Sequence, residues 1–527
     1  MDCLIREARV VDGTGGPWFV SDVLIRDGHI AQLGKSLEAN GAHVVDAQSR
    51  YLAPGFIDAH CHDDLICLRE PERIEKIAQG VTTLVVGNCS FSLYPATPQS
   101  APNLRKHFST LLGEVSPDEV FADLAGYRNA IHKRGLALNV VSLVGHAAIR
   151  IAVIGHDRRA ATQSERSEMQ VLLARELRSG AAGLSLGLVY PPSAYAEREE
   201  LLALAGTVQE HGKVLAAHIR GYEGDLLEAM DEFIDLLKVS HAPGLLSHLQ
   251  SAGRPNWGQM DKALAKLEQA RGQGVDVSFD MYPYPAGSSY ILQLLPPDAL
   301  EGGFDALVTR LSQAAFRERL KLYLEGKPLP GVPPSKVSLI GWDNVRISGV
   351  SNSGLKSLEG QNMVQAAAGL DITPFELLIR LIREDQGQTS IVMFQLDEKD
   401  LHAACTHRLH MVGSDGLPRP GTKPHPRAYG TFPRVAGRLR REGWFALEDA
   451  VCRMTSRAAE RFGLVDRGLI RPGMVADLVL FDDAIDDNAT FDLPTRLPTG
   501  IEHVLVAGEM VMENGKMTGR LPGRVLG

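Results

Sequence analysis

"GFIDAHCHDD", residues 55–64, sets two histidines, a cysteine and three aspartates directly behind an apolar run through Leu52, Phe56 and Ile57. Such a run reads as a buried strand, and a strand places residues i and i+2 on the same face. His60 and His62 therefore aim two imidazoles at one point beyond the strand end. A metal ion would use that convergence, whereas two histidines on an exposed strand end would not need it. The choice depends on whether the rest of the chain brings more ligands to the same place.

Outward from this stretch the chain has two textures. Residues 1–50 alternate apolar and polar in short runs, punctuated by Asp-Gly at 12–13 and 27–28. That is the signature of short antiparallel strands with tight turns. "GLIRPGMVADLVLFD" (468–482) and "IEHVLVAGEMVMENGKM" (501–517) return to it. The expected arrangement is a small β-sandwich domain built from both ends, residues 1–53 and 468–527, around a domain at 54–467.

The middle alternates short Val/Leu/Ile runs with longer amphipathic stretches, the rhythm of parallel strands and crossover helices. Candidate strands are 55–60, 81–88, 137–145, 183–188, 214–219, 244–249, 275–281 and 410–415. Between them, "SERSEMQVLLARELRSG" (164–180) and "REELLALAGTVQEHG" (198–212) have helical spacing and end in glycine. Eight strand–helix units make a (β/α)8, TIM-like barrel. Roughly 130 residues separate the last two candidate strands, too many for one crossover. An insertion is expected around 286–350, including the helical "FDALVTRLSQAAFRERLKLYLEG" (304–326).

Polar residues then collect at strand ends. His60 and His62 close strand one, and Cys89 follows strand two. His218 ends strand five, His248 ends strand six, and Asp415 ends strand eight. In barrel enzymes these ends share one active-site mouth. Imidazole and thiolate suit Zn²⁺, and a catalytic zinc leaves a position open for water. Cys89, His218 and His248 supply three ligands, with His60 and His62 on the same ion or on a second, weaker one. A zinc ion acidifies water, and Asp415 beside it would serve as general base and then general acid.

Composition excludes several other classes. The chain has 527 residues, 44% hydrophobic and 23% charged, with 55 Lys plus Arg against 64 Asp plus Glu and a net charge of -9. This is a soluble globular profile without the basic surplus of a nucleic-acid binder. The most apolar window, residues 135–155, is interrupted by Gly145, His146 and Arg150, so no membrane span is expected. Six scattered cysteines read as reduced thiols of a cytoplasmic protein, and the first ten residues carry no secretory pattern. No glycine cluster matches a phosphate-binding loop.

"PGFIDAHCH" (54–62) and the return at 468–482 resemble the amidohydrolase superfamily, a barrel flanked by a small β-domain. "GVTTLVVGNCSFSLYP", "GLSLGLVYPPSAYA", "AAHIRGYEGD", "FDMYPYPAGSS" and "GSDGLPRPGTKPHPRAYGTFPR" are similar to the N-acyl-D-amino-acid deacylases, or D-aminoacylases. The likeness spans nearly the whole chain. It implies a tight zinc on Cys89, His218 and His248, a weaker adjacent site at His60 and His62, and Asp415 as the catalytic carboxylate. It also implies substrate contacts from Tyr190, Tyr282, Ser288 and Arg427. Many superfamily members bridge two metals with a carboxylated lysine after strand four; "GAAGLSLGLVYPP" has none, in keeping with Cys89 as a ligand.

One departure concerns the substrate. The family's lysine after the strand-six histidine, which pairs with the substrate's α-carboxylate, is replaced by Gln250 in "SHLQSAG". His146 is expected to make a structural hydrogen bond, and His425 to orient the loop of Arg427. The reading is zinc-dependent hydrolysis of a linear N-acyl amide, most simply of an N-acyl-D-amino acid. A cyclic-amide hydrolase and a catalytically silent scaffold are the alternatives. The expected partners are a small-molecule N-acyl amide and, where the chain self-associates, its own copies, with no nucleic acid and no membrane.

Overall fold

The computed structural model describes residues 2–330 and 332–527. Eight parallel strands run Phe56–Asp58, Val81–Val86, Asn139–Gly145, Gly183–Gly187, Val214–His218, Gly244–Leu246, Val277–Met281 and His410–Val412. Each pairs with the one before it, and all fall inside the expected runs. A parallel strand needs a crossover and is covered on both faces. Val140, Val141, Leu143 and Val144 of the third strand are accordingly all buried. Ile57, Val85, Leu143, Ala216, Leu245 and Met411, each from a different strand, pack into one cluster. The crossover helix Gln163–Arg178 starts at a Thr162–Glu165 capping box, which satisfies two otherwise orphaned backbone donors.

The ring closes where the first and eighth strands meet. Cys61 and Gly416 form a parallel bridge. Ala59 donates to the Val412 carbonyl at 3.2 Å, and Asp415 donates to the His60 carbonyl at 2.7 Å. A buried polar network underlies this seam. Asp58 accepts from the Ser414 amide at 2.7 Å and from its hydroxyl at 2.6 Å. Lys76 Nζ lies 2.8 Å from Asp58 and 3.4 Å from Asp63. Arg73 pairs with Asp63 and Glu75.

The two chain ends meet in one nine-stranded sheet. Cys3–Val10 pairs antiparallel with Phe19–Arg26 and parallel with His43–Asp46 and Tyr51–Pro54. Tyr51–Pro54 then pairs antiparallel with Leu478–Asp486, Leu52 opposite Leu480, and so joins the ends. Ile5, Val10, Val23, Ile25, Leu52, Leu478 and Leu505 give this unit a core of its own. Asp27 and Gly28, both at positive φ (48° and 77°), close a two-residue hairpin as expected. Asp12-Gly13 does not close one. Its Asp12 carbonyl accepts from Ile470 at 3.0 Å, and a Cβ on Gly13 would lie 2.5 Å from the Gly468 carbonyl. The dipeptide docks the C-terminal segment instead.

Between the seventh and eighth barrel strands, Ala286–Tyr290, Ser390–Phe394 and Val345–Gly349 form a separate antiparallel sheet with helices between them. This added structure runs from Ala286 through Phe394 before Glu398–Thr406 returns to the barrel. No described helix is long and apolar enough to cross a membrane.

Lys76→Met should test the seam. Asp58 and Asp63 would stay buried without their ammonium partner, and breaking a buried pair costs about 3–5 kcal/mol. Denaturant unfolding should show a loss of that size; a loss under about 1 kcal/mol would mean the network does not hold the barrel closed.

Candidate metal centre

The five predicted ligands converge at the barrel's C-terminal mouth. Cys89 Sγ lies 3.4 Å from His60 Nε2 and 3.4 Å from His248 Nε2. Two overlapping triads result, Cys89–His218–His248 and His60–His62–Cys89, with the donor atoms of each within 4.8 Å of one another. All five side chains are buried. A tetrahedral zinc with its usual bond lengths would hold sulfur and nitrogen ligands about 3.5 Å apart. The Nδ1 atoms of His62, His218 and His248 are buried without a hydrogen-bond partner. Spacing and donor chemistry both fit a bound metal.

The backbone is bent to deliver these groups. Cys89, His248 and Asp415 have φ of 52°, 35° and 47°, the left-handed region. For non-glycine residues that costs roughly 1–2 kcal/mol each. Glycine would relieve the strain but has no donor atom to offer, so the strain marks positions where a side chain is needed. The Cys89 loop is tied down on both sides. Asn88 Nδ2 donates to the Val85 carbonyl at 2.8 Å, and the Ser90 amide donates to Ser185 Oγ at 3.0 Å. The loop lies directly over the end of the fourth strand, where a Cβ on Gly187 would come within 2.2 Å of the Cys89 carbonyl. The Cys89 loop thus occupies the space above this strand end, where the sequence carries no lysine.

Burial alone would push the Cys89 thiol up, but the His60 and His248 imidazoles outweigh it and hold the thiol well below its usual range. This environment favours the thiolate, the form that binds metal. Buried Cys61 and Cys67 have no such neighbours, and burial pushes both up. Asp280, at the end of the seventh strand, was not singled out from the sequence. One of its oxygens lies 3.2 Å from His60 Nδ1, and it accepts from the His248 amide at 3.0 Å. It thereby turns His60 Nε2 toward the centre, as carboxylates behind metal-binding histidines do. The "SFDMY" strand end carried the same signal as the other ligand positions.

Asp415 Oδ1 lies 3.2 Å from His62 Nε2 and Oδ2 lies 2.8 Å from Arg427. Burial would raise this carboxyl, but Arg427 and His62 hold it well below the usual carboxylate range. Tyr190, Gln250, Tyr282 and Ser288 line a cavity with Asp415, Cys89 and His218. Arg427 is fully buried, with its guanidinium 4.3 Å from the centre of the Tyr282 ring. Gln250 Oε1 accepts from Tyr282 at 3.2 Å and from Gln395 at 3.3 Å. Glu223 and Lys336, paired on the same wall, carried no strand-end signal. His146 lies 2.7 Å from Glu200 in a buried pair, the expected structural role. His425 donates to the Ala286 carbonyl at 2.9 Å and accepts from the Arg427 amide at 3.0 Å, which orients that loop.

Gly187→Ala should push the Cys89 loop off the fourth strand. Misplacing a supporting contact typically weakens metal binding 10- to 100-fold. Chelator competition should show that loss while circular dichroism stays unchanged; parent-like metal affinity would refute the close approach as the device that places Cys89.

Residues 43–289 and 362–512 match the amidohydrolase family model. The chain is 36% identical to an N-acyl-D-glutamate deacylase of Alcaligenes xylosoxydans xylosoxydans, over 100% of this chain and 96% of that one. The N-acyl-D-glutamate deacylase from Bordetella bronchiseptica was solved with zinc and a phosphonate inhibitor that mimics the tetrahedral intermediate. It superposes with a TM-score of 0.83 at 33% identity, covering 100% of this chain and 99% of that one. A D-aminoacylase described around a binuclear metal centre, with one-metal activation and second-metal attenuation, superposes with a TM-score of 0.81 at 33% identity, covering 99% of both chains. Family model, whole-length relatives and superposed barrels agree: the chain belongs to the amidohydrolases and, among them, to the N-acyl-D-amino-acid deacylase, or D-aminoacylase, family.

Proposed function

We propose that the protein is a zinc-dependent amidohydrolase that deacylates an N-acyl-D-amino acid by cleaving its linear amide C–N bond. The observation that carries this reading is the Cys89–His218–His248 triad beside Asp415 at one cavity. Cys89, His218 and His248 would hold a zinc ion tightly, and His60 and His62 would hold a second, weaker one beside it. The binuclear D-aminoacylase supports the second position, as does the overlap of the two triads. When bound, zinc supplies a polarised amide carbonyl and an acidified water.

The chain's own residues do the rest. Asp415, ionised and anchored by its backbone to the His60 carbonyl, accepts a proton from the attacking water. It then delivers that proton to the amide nitrogen as the C–N bond breaks and the amine leaves. Arg427 holds Asp415 and the Ser288 carbonyl through Nη2 from behind the cavity wall, and its buried Nε and Nη1 have no partner among the described residues. Tyr282, Ser288 and Tyr190 shape the same wall, and Gln250 offers a neutral amide where the family carries a lysine. All six cysteines are unpaired among the described residues, which supports a reducing, cytoplasmic setting.

The zinc-loaded protein should hydrolyse N-acyl-D-amino acids with little turnover of the L enantiomers. Asp415→Asn should keep its metal by elemental analysis while losing at least about 10² in kcat, the worth of positioned acid–base catalysis. Equal rates on D and L substrates would sink the substrate reading. An Asn variant within tenfold of the parent would sink the role of Asp415.

A further inference from the structure

We propose that Lys336 determines substrate specificity at this site: it is the cation that receives a carboxylate of the ligand, in place of the charge that Gln250 lacks. The inference rests on the deacylase reading only for the identity of the ligand. Among the described residues, Lys336 is the one lysine or arginine on the cavity wall. It opens the helix Lys336–Ile340, which belongs to the segment between the seventh and eighth barrel strands. Arg427, the other nearby cation, is engaged with Asp415 and the Ser288 carbonyl and does not line the cavity.

Gln250 cannot supply a positive charge. It is neutral, and its carbonyl oxygen already accepts from Tyr282 and Gln395. Lys336 has room to act. An ammonium carries three donors, and among the described residues its one acceptor is Glu223 Oε1. Glu223 is itself buried and also accepts from the Tyr222 amide at 3.2 Å. The lysine is thus held at the wall by one carboxylate with donors to spare for a second. Two roles are compatible with a pair of this kind, a substrate contact and a latch between barrel and added segment. The wall position and spare donors favour the contact.

The two roles predict opposite patterns. Removing Glu223 frees Lys336 for a ligand carboxylate, whereas in a latch both partners are equally necessary. The probes are D-glutamate, its α-amide and its side-chain amide, bound calorimetrically to the zinc-loaded protein, so no turnover is needed. Lys336→Met should weaken D-glutamate about tenfold or more, the worth of one charge-assisted hydrogen bond. Lys336→Arg should restore most of the affinity, and Glu223→Gln should bind at least as tightly as the parent, all at equal zinc content. The amide that has become insensitive to Lys336→Met identifies which carboxylate the lysine receives.

The assignment is overturned if Lys336→Met weakens all three ligands equally or none. It is equally overturned if Glu223→Gln weakens binding in step with Lys336→Met, or if the parent shows no carboxylate-dependent binding. Turnover of the N-acetyl derivatives is read separately. Lys336-dependent binding without turnover would refute the deacylase function and leave the role of Lys336 standing.

Discussion

The seam where the eighth strand returns to the first is the constraint on which the site depends. A parallel barrel closes only if its last strand reaches the first in register. Here that register is written by the Asp415 amide on the His60 carbonyl and by the Cys61–Gly416 bridge. The same bonds fix the distance between the His60–His62 pair and the carboxylate facing it. Asp58, Ser414 and Lys76 make closure a buried electrostatic matter as well as a backbone one. Fold and chemistry therefore share one set of contacts, and a slip in the seam would disperse the site.

Around that seam the molecule concentrates strain and charge. Left-handed backbone at Cys89, His248 and Asp415 turns their side chains toward a common point. Their charges then support one another: imidazoles hold the Cys89 thiolate, and Arg427 holds the Asp415 carboxylate. The cluster would be costly to bury group by group. It is tolerated because each charge has a partner in reach, and a metal ion would complete the set.

The segment between the last two barrel strands supplies what a bare barrel mouth lacks. Ser288, Lys336 and Gln395 reach the cavity from it, while the ligands and Asp415 come from the barrel. Part of the cavity wall thus comes from outside the barrel, so that part can vary while the metal centre stays the same. The exchange of a family lysine for Gln250, with Lys336 nearby from another direction, is an instance of that separation.

Several features were determined by local sequence. Period-two spacing put His60 and His62 on one face, and alternation of strand and helix texture placed all eight barrel strands. Polar residues after apolar runs marked the five candidate ligands and Asp415, because a strand's C-terminal end is a position that one dimension already defines. The same logic would have found Asp280, whose place in "SFDMY" obeys the same pattern. Tertiary structure alone decided the rest. Asp12-Gly13 carries a hairpin signal yet docks against residues more than 450 positions away, since turn propensity yields to available partners. The pairing of Lys336 with Glu223 joins residues 113 positions apart, from a helix start and a loop with no shared spacing. Through-space electrostatics and close approaches such as that of Gly187 to the Cys89 carbonyl depend on packing distance, which no local pattern encodes.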